Sequence, residues 1–196
     1  MRLPKLTDLS PRQQEISDRI TSRRGGTRGP FLVWLRSPEL CEKVEALGAY
    51  CRFESSLDPR LRELSLLIAA RHWDAQYSWN AHVGKAADLG VPRESLTALA
   101  ERREPHFTSK DEEIVYRFSS EILSDHFVCD ATFAEAVAEL GEQGVVDLIA
   151  AWGTSRCSRC CSTPARSTCR PSSRRSPTSA GMQRFLSMAD AHLNAR

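Results

Sequence analysis

The stretch from Leu57 to Gly90 constrains the fold of this chain more than any other, because its pattern is typical of two helices packed against each other. Asp58 and Pro59 form a start signal, since aspartate caps helix N-termini and proline suits the first helical position. Leucine and isoleucine then recur at helical spacing as far as about His72. After a short break, a second helix is predicted to end at Gly90. So short a connection makes the two helices antiparallel neighbours.

Two polar residues of this hairpin have side chains suited to chemistry, Glu63 on the first helix and His82 on the second. A carboxylate close to an imidazole fixes the tautomer of the ring and strengthens it as a base, which suits general acid–base catalysis near neutral pH. The side chains that share the predicted face of His82 are small or aromatic: Ala75, Ser78, Trp79 and Ala86. They predict a pocket beside His82. The alternative is a core histidine hydrogen-bonded to a core glutamate, with no substrate.

The spacing of these residues resembles the core of the carboxymuconolactone decarboxylase and alkylhydroperoxidase D superfamily. The peroxidase branch of that superfamily has the pattern Glu-x11-Cys-x2-Cys-x3-His, and Glu63 and His82 match its glutamate and histidine, 19 residues apart. The two cysteine positions fall on Ala75 and Ser78. The match therefore keeps the acid–base pair and lacks both redox thiols. It covers roughly residues 30–153.

The resemblance implies an all-α fold, an orthogonal bundle of about six or seven helices, in proteins that commonly form homo-oligomers such as trimers or hexamers. The rest of the sequence favours the same class, because it contains no alternating strand pattern of useful length. Further helices are predicted from about residue 10 to 21, from 37 to 53, from 91 onward, from 109 to 126, and from 131 to 152 with a break at Gly141–Gly144. In the second of these, Leu40, Val44 and Leu47 form the predicted buried stripe. Ser109 and Glu112 resemble a capping box.

The chain is expected to divide into three parts. Residues 1–30 form an N-terminal helix and a flexible glycine-rich loop, which is not a phosphate loop because no GK[ST] follows. Residues 31–153 form the helical domain that resembles the superfamily.

Residues 154–196 are an atypical tail rich in serine, arginine and cysteine, and residues 154–180 are predicted to be irregular and exposed. A metal-binding or nucleic-acid-binding tail is one interpretation, and plain disorder is a second. The third is a frameshift, because residues 154–164 read one nucleotide earlier would form an apolar helix like the closing helix of the superfamily.

The resemblance implies a cofactor-free lyase that decarboxylates a small lactone or keto acid, a chemistry of aromatic compound catabolism. Glu63 and His82 would be the catalytic residues. Arg52 and Arg71 are candidates for binding a substrate carboxylate, because guanidinium pairs with carboxylates through two hydrogen bonds. Tyr77, Ser78 and Trp79 are candidate walls of the pocket. The alternatives are a peroxidase, which would need the missing thiols, and a non-catalytic oligomeric binding protein.

Composition adds few constraints on partners. A net charge of +2 over 196 residues indicates neither nucleic acid nor a membrane surface, so the expected partners are a small-molecule substrate and further copies of the chain. The first residues have no apolar signal region and no stretch is long enough to span a bilayer, so a cytoplasmic location is expected. In that compartment the seven cysteines would stay reduced. The histidines show no metal-binding spacing, and no metal is expected.

Overall fold

A computed structural model describes residue 3 and residues 6–162, with side chains as far as residue 158, and every regular element in this part of the chain is helical. In chain order the elements are α1 (Pro11–Arg24), α2 (Phe31–Trp34), α3 (Pro38–Ala49), a short π-helix (Tyr50–Glu54), α4 (Pro59–His72), α5 (Gln76–Asp88), α6 (Arg93–Glu101), α7 (Lys110–Ser124) and α8 (Asp130–Ser162). The predicted all-α class is confirmed. The described residues form eight α-helices, slightly more than the resemblance implied, and α2 is a single turn.

Helix α4 is the centre of the bundle, with α5, α7 and α8 packed around it. Its buried residues lie on all sides of the helix, which is the pattern of a helix enclosed by others. The start predicted for it is confirmed, because the Asp58 carboxylate accepts a hydrogen bond from the backbone N–H of Arg60 at 2.8 Å and Pro59 is the first helical residue. The antiparallel hairpin of α4 and α5 therefore forms as the sequence predicted.

Helices α1, α2 and α3 pack around a cluster of buried residues of their own: Ile16, Ile20, Trp34, Leu35 and Cys41. The predicted buried stripe of α3 is wrong for Leu40 and Leu47, which are about half exposed, at 49% and 48%, whereas Val44 is partly buried and packs against this cluster. The face of α3 that is buried carries Cys41, Glu45 and Ala49 instead. This face can turn inward because the Glu45 carboxylate meets the guanidinium groups of Arg23 and Arg24 on α1, at 4.0 and 3.8 Å.

The π-helix after α3 is fixed to α8 by one buried carboxylate. Asp147 accepts hydrogen bonds from the Tyr50 hydroxyl at 2.9 Å, the Ser56 backbone N–H at 2.7 Å and the Ser56 hydroxyl at 2.8 Å. Burial raises the pKa of Asp147, but these hydrogen bonds outweigh it and the net pKa is lowered. These hydrogen bonds fix the position of Cys51 and Arg52, which lie between Tyr50 and Ser56 in the sequence.

The predicted capping box of α7 does not form, although the helix starts where it was expected. The Ser109 hydroxyl donates to the Asp111 carboxylate instead of accepting from the helix backbone. Glu112, the other half of the expected box, is buried and forms an ion pair with Arg60 of α4 at 2.5 Å. Both side chains of the motif are therefore engaged elsewhere, and the ion pair joins α7 to the central helix.

Helix α8 contains the predicted break, because Gly141 has φ 73° and ψ 165°, a conformation that only glycine adopts easily. The helix then continues past residue 153, so the prediction of an irregular tail is wrong for residues 154–162. Polar residues are tolerated there because the hydroxyls of Thr154 and Ser155 donate back to the carbonyl of Ala151, at 2.8 and 2.9 Å. Residues 163–180 lie outside the described residues, and the three-part division and the frameshift stay predictions.

Candidate active site

The packing of α5 on α4 brings Glu63 and His82 together. Nδ1 of His82 lies 2.7 Å from Oε2 of Glu63, and the two side chains are only 12% and 5% exposed. Burial raises the pKa of Glu63, but the hydrogen bond and charge of His82, with the charges of Lys85 and Arg52, outweigh it and lower the pKa overall. An ionised carboxylate can only accept hydrogen bonds, so Nδ1 carries the hydrogen. Nε2 is then the ring nitrogen that can exchange a proton with a bound molecule.

His82 lines a cavity of about 270 Å³, which is large enough for a small organic molecule. Its wall is assembled from two separate stretches of the chain: residues 24–82, from α1 to α5, and the end of α8. Thr154, Ser155 and Ser158 supply the last part. The cavity is therefore lined in part by the start of the tail, residues 154–196, whose composition differs from that of the helical domain.

The structure separates the predicted site residues into two groups. Arg52, Tyr77 and Ser78 line the cavity together with His82, while Glu63 lies behind the imidazole. Trp79 does not line the cavity. It is 3% exposed in the core, because one residue further along α5 turns the side chain by about 100° from Ser78.

Arg71 also lies away from His82. It lines a separate hollow of about 310 Å³ with residues of α6 and α7, and its Nη2 is 3.8 Å from the Asp74 carboxylate. Arg71 was a candidate because its guanidinium can pair with a carboxylate, but the side chain lies on a different side of α4 from Glu63. Arg52 is therefore part of the candidate site, and Arg71 and Trp79 are not.

Sequence analysis missed the contribution of the N-terminal segment. Arg24, Arg28 and Pro30 line the cavity, although residues 23–30 had the composition of a flexible connector. The glycines of this segment could have indicated that it packs closely against the domain. Gly29 has φ +61°, and an added Cβ would lie 2.7 Å from Cε1 of Tyr77. Glycine is required where a backbone approaches an aromatic ring so closely.

The charged side chains around the cavity have one sign. Arg24, Arg28 and Arg52 line it, and no carboxylate occurs among the lining side chains of the described residues. A cavity lined in this way favours an anionic molecule, since like-charged walls concentrate ligands of the opposite charge. The site thus combines a proton-exchanging imidazole with a preference for anions.

The thiols of the described residues do not form a redox pair. Cys51 lines the cavity but is 4% exposed, and burial raises its pKa even though a hydrogen bond with Thr154 lowers it. The two positions where the superfamily motif has cysteines hold Ala75, which is buried, and Ser78. Isolated cysteines are buried, unreactive thiols by default. Cys41 is buried in this way, whereas Cys129 is exposed.

Two features are absent from the part of the chain that the structure describes. No group of three or more metal-ligating side chains is positioned to hold an ion. No helix there has both the length and the apolar character needed to cross a membrane.

The fold and the site define an all-helical protein with a buried histidine–glutamate pair at an arginine-lined cavity. The fold is similar to that in the crystal structure of an uncharacterized peroxidase-related protein from Silicibacter sp. TM1040, with a TM-score of 0.67 at 15% sequence identity. The similarity covers 84% of this chain and 88% of the other. No family model matches the sequence, and no curated protein does. The two chains therefore share an all-helical fold.

Proposed function

We propose that this protein is a cofactor-free lyase of the carboxymuconolactone decarboxylase type, acting on a small carboxylated lactone or keto acid. The observation that carries the proposal is the 2.7 Å contact between His82 and Glu63 at the edge of an arginine-lined cavity. A buried carboxylate on Nδ1 orients the imidazole and stabilises it when it gains a second proton. The pair is therefore built for proton transfer at Nε2.

The reaction requires two contributions from the protein, a positive charge that stabilises the dienolate and a group that protonates it. When the carbon–carbon bond to the leaving carboxylate breaks, the electron pair stays on the substrate as a dienolate, and carbon dioxide leaves. Positive charge beside the dienolate oxygen lowers the barrier, and Arg52, which lines the cavity, would supply it. Nε2 of His82 then gives a proton to the substrate carbon, and solvent restores that proton. Glu63 holds the ring throughout.

A peroxidase is the alternative, and its support is the printed description of the protein from Silicibacter sp. TM1040. That chemistry requires a thiolate and a resolving thiol. Cys51 is the thiol that lines the cavity, and burial raises its pKa, which keeps it protonated and weakly nucleophilic. The lyase is therefore the better supported function, and a non-catalytic binding protein remains the outcome if no turnover exists.

A homo-oligomer, a trimer or hexamer, forms part of the proposal. Leu40 and Leu47 lie seven residues apart on the outer side of α3 and are about half exposed. Residues at that spacing share one face of a helix. An apolar face of this kind is what a second copy of the chain would cover.

The deciding experiment compares His82→Asn with His72→Asn. Asparagine places an amide nitrogen near the position of Nδ1, so the contact with Glu63 can persist while Nε2 is lost. His72 lies in the separate hollow beside Arg71 and serves as the matched control.

A panel of small lactones and keto acids is screened for release of carbon dioxide, and product formation is followed by proton NMR. We expect kcat of His82→Asn to fall by about 10²–10⁴ and that of His72→Asn to be unchanged. Full activity of His82→Asn would remove His82 from the mechanism.

A further inference from the structure

Ser78 stands in the middle of the side of α5 that lines the cavity. The helix contributes four residues to the wall: Tyr77, Ser78, Ala81 and His82. At about 100° per residue, Ser78 lies between Ala81 and His82 around the helix axis. Trp79, about 100° beyond Ser78, is in the core and only 3% exposed. The helix therefore directs the Ser78 side chain toward the cavity.

The hydroxyl of Ser78 is available to a ligand. Serines and threonines in helices commonly donate to a carbonyl one turn earlier, as Thr154 and Ser155 of the same cavity do to Ala151, at 2.8 and 2.9 Å. The Ser78 hydroxyl makes no hydrogen bond to any described residue, and its oxygen is open to solvent. It can therefore donate to a bound molecule without first breaking a bond within the protein.

Ser78 and His82 lie one turn apart on the same side of α5. Residues at this spacing have Cβ atoms about 5–6 Å apart. Nε2 of His82 is also open to solvent and makes no hydrogen bond to a described residue, because the contact with Glu63 is made by Nδ1. A molecule that accepts a hydrogen bond from the Ser78 hydroxyl therefore has its neighbouring atoms within reach of Nε2.

We propose that the Ser78 hydroxyl donates a hydrogen bond to the substrate oxygen that becomes negatively charged when carbon dioxide leaves. The inference rests on the proposed lyase function and makes Ser78 a catalytic residue of it. The O–H bond of Ser78 stays intact, and the proton that reaches the substrate carbon comes from Nε2 of His82. Arg52 would supply charge, whereas the hydroxyl supplies direction, because it holds the oxygen at hydrogen-bond length from a fixed point on α5. The carbonyl group of the substrate then lies next to Ser78, and the carbon that is protonated lies next to His82.

Phenolate binding tests this hydrogen bond without turnover. 4-Nitrophenolate is a conjugated oxygen anion, as a dienolate is, and its visible absorbance shows that the anion is the species bound. It is titrated into the wild type and Ser78→Ala by isothermal titration calorimetry. We expect the wild type to bind the anion and Ser78→Ala to bind it on the order of 10- to 100-fold more weakly, because a hydrogen bond to a charged acceptor is lost. Ser78→Thr keeps the hydroxyl and should bind more tightly than Ser78→Ala.

Asn80→Ala is the matched control. Asn80 lies two residues further along α5, is exposed and does not line the cavity. Both substitutions replace a polar side chain of the same helix by alanine, the best helix former, so both variants should fold. Asn80→Ala should bind the phenolate as the wild type does. Circular dichroism of each variant checks that its helical content is that of the wild type.

Turnover gives a second measurement, on any substrate that the carbon dioxide screen identifies. Ser78→Ala should lower kcat on the order of 10- to 100-fold with little change in KM, because the oxygen gains its charge only as the carbon–carbon bond breaks. A residue that only shaped the wall would change KM instead.

The two measurements separate a failure of the hydrogen bond from a failure of the lyase function. Equal phenolate affinity of the wild type and Ser78→Ala, no binding of the anion by the wild type, or an unchanged kcat of Ser78→Ala would overturn the proposal. If phenolate binding depends on Ser78 while no compound releases carbon dioxide, the lyase function fails and the assignment of Ser78 as a donor to a bound oxygen anion stands.

Discussion

Replacing His82 by alanine should destabilise the fold, because it removes the hydrogen-bond partner of a buried carboxylate. Glu63 is 4% exposed and is held by the 2.7 Å contact with His82. Deleting one partner of a buried pair costs about 3–5 kcal/mol. Lys85 and Arg52, whose charges help to lower the pKa of Glu63, remain in the variant, so we expect the lower figure, about 3 kcal/mol. In a chain of this size that corresponds to a fall in Tm of about 6–12 °C.

The assay is urea unfolding at 25 °C followed by circular dichroism, with His82→Asn as the control that retains a polar partner for Glu63. The sign of the pH dependence follows from the lowered pKa of Glu63. In the wild type this carboxylate stabilises the fold above the ordinary glutamate pKa, and the stabilisation is lost as pH falls through the folded-state value. In His82→Ala, protonation relieves a buried charge instead. The difference in unfolding free energy between the two proteins should therefore shrink from pH 7 toward pH 4. Equal stability at pH 7, or a difference that does not vary with pH, would refute this reasoning.

Two further predictions concern stability and thiol reactivity. Asp147→Ala should lower the free energy of unfolding by about 2–4 kcal/mol in the same urea assay, because three hydrogen bonds lose their acceptor. Asp147→Asn keeps one acceptor oxygen and should lower it by about 1–2 kcal/mol. Iodoacetamide should label the exposed Cys129 well before Cys51, and before Cys41, whose pKa burial raises to about 11, as read by peptide mass spectrometry. Peroxide consumption that requires Cys51 would contradict the second prediction and favour the peroxidase.

The hairpin was predictable because its determinants are local. The cap at Asp58, the apolar spacing of α4 and the short connection to α5 all lie within about thirty residues of sequence, and together they fix which faces meet. The contact between Glu63 and His82 follows from that geometry and is confirmed. Its catalytic role stays a prediction.

The face of α3 was not predictable by the same means. Apolar spacing selected Leu40 and Leu47, but the helix buries Glu45, and a carboxylate is placed inside only when its charged partners are known. Those partners, Arg23 and Arg24, are supplied by α1 and belong to a separate stretch of sequence. Periodicity carries no information on which distant helix supplies a counter-charge. The same limit hid Arg24 from the list of candidate site residues.

The assembly of the cavity from two distant stretches of the chain sets an order of events during synthesis. The hairpin that carries the histidine–glutamate pair is complete once Gly90 has been made, whereas the wall is complete only with Ser158. At the usual pace of translation that is roughly 3–14 s later. The arginine-lined wall is therefore still incomplete when both residues of the histidine–glutamate pair have been made. A small molecule that needs the complete wall would stabilise the finished protein but would not guide the formation of its central hairpin.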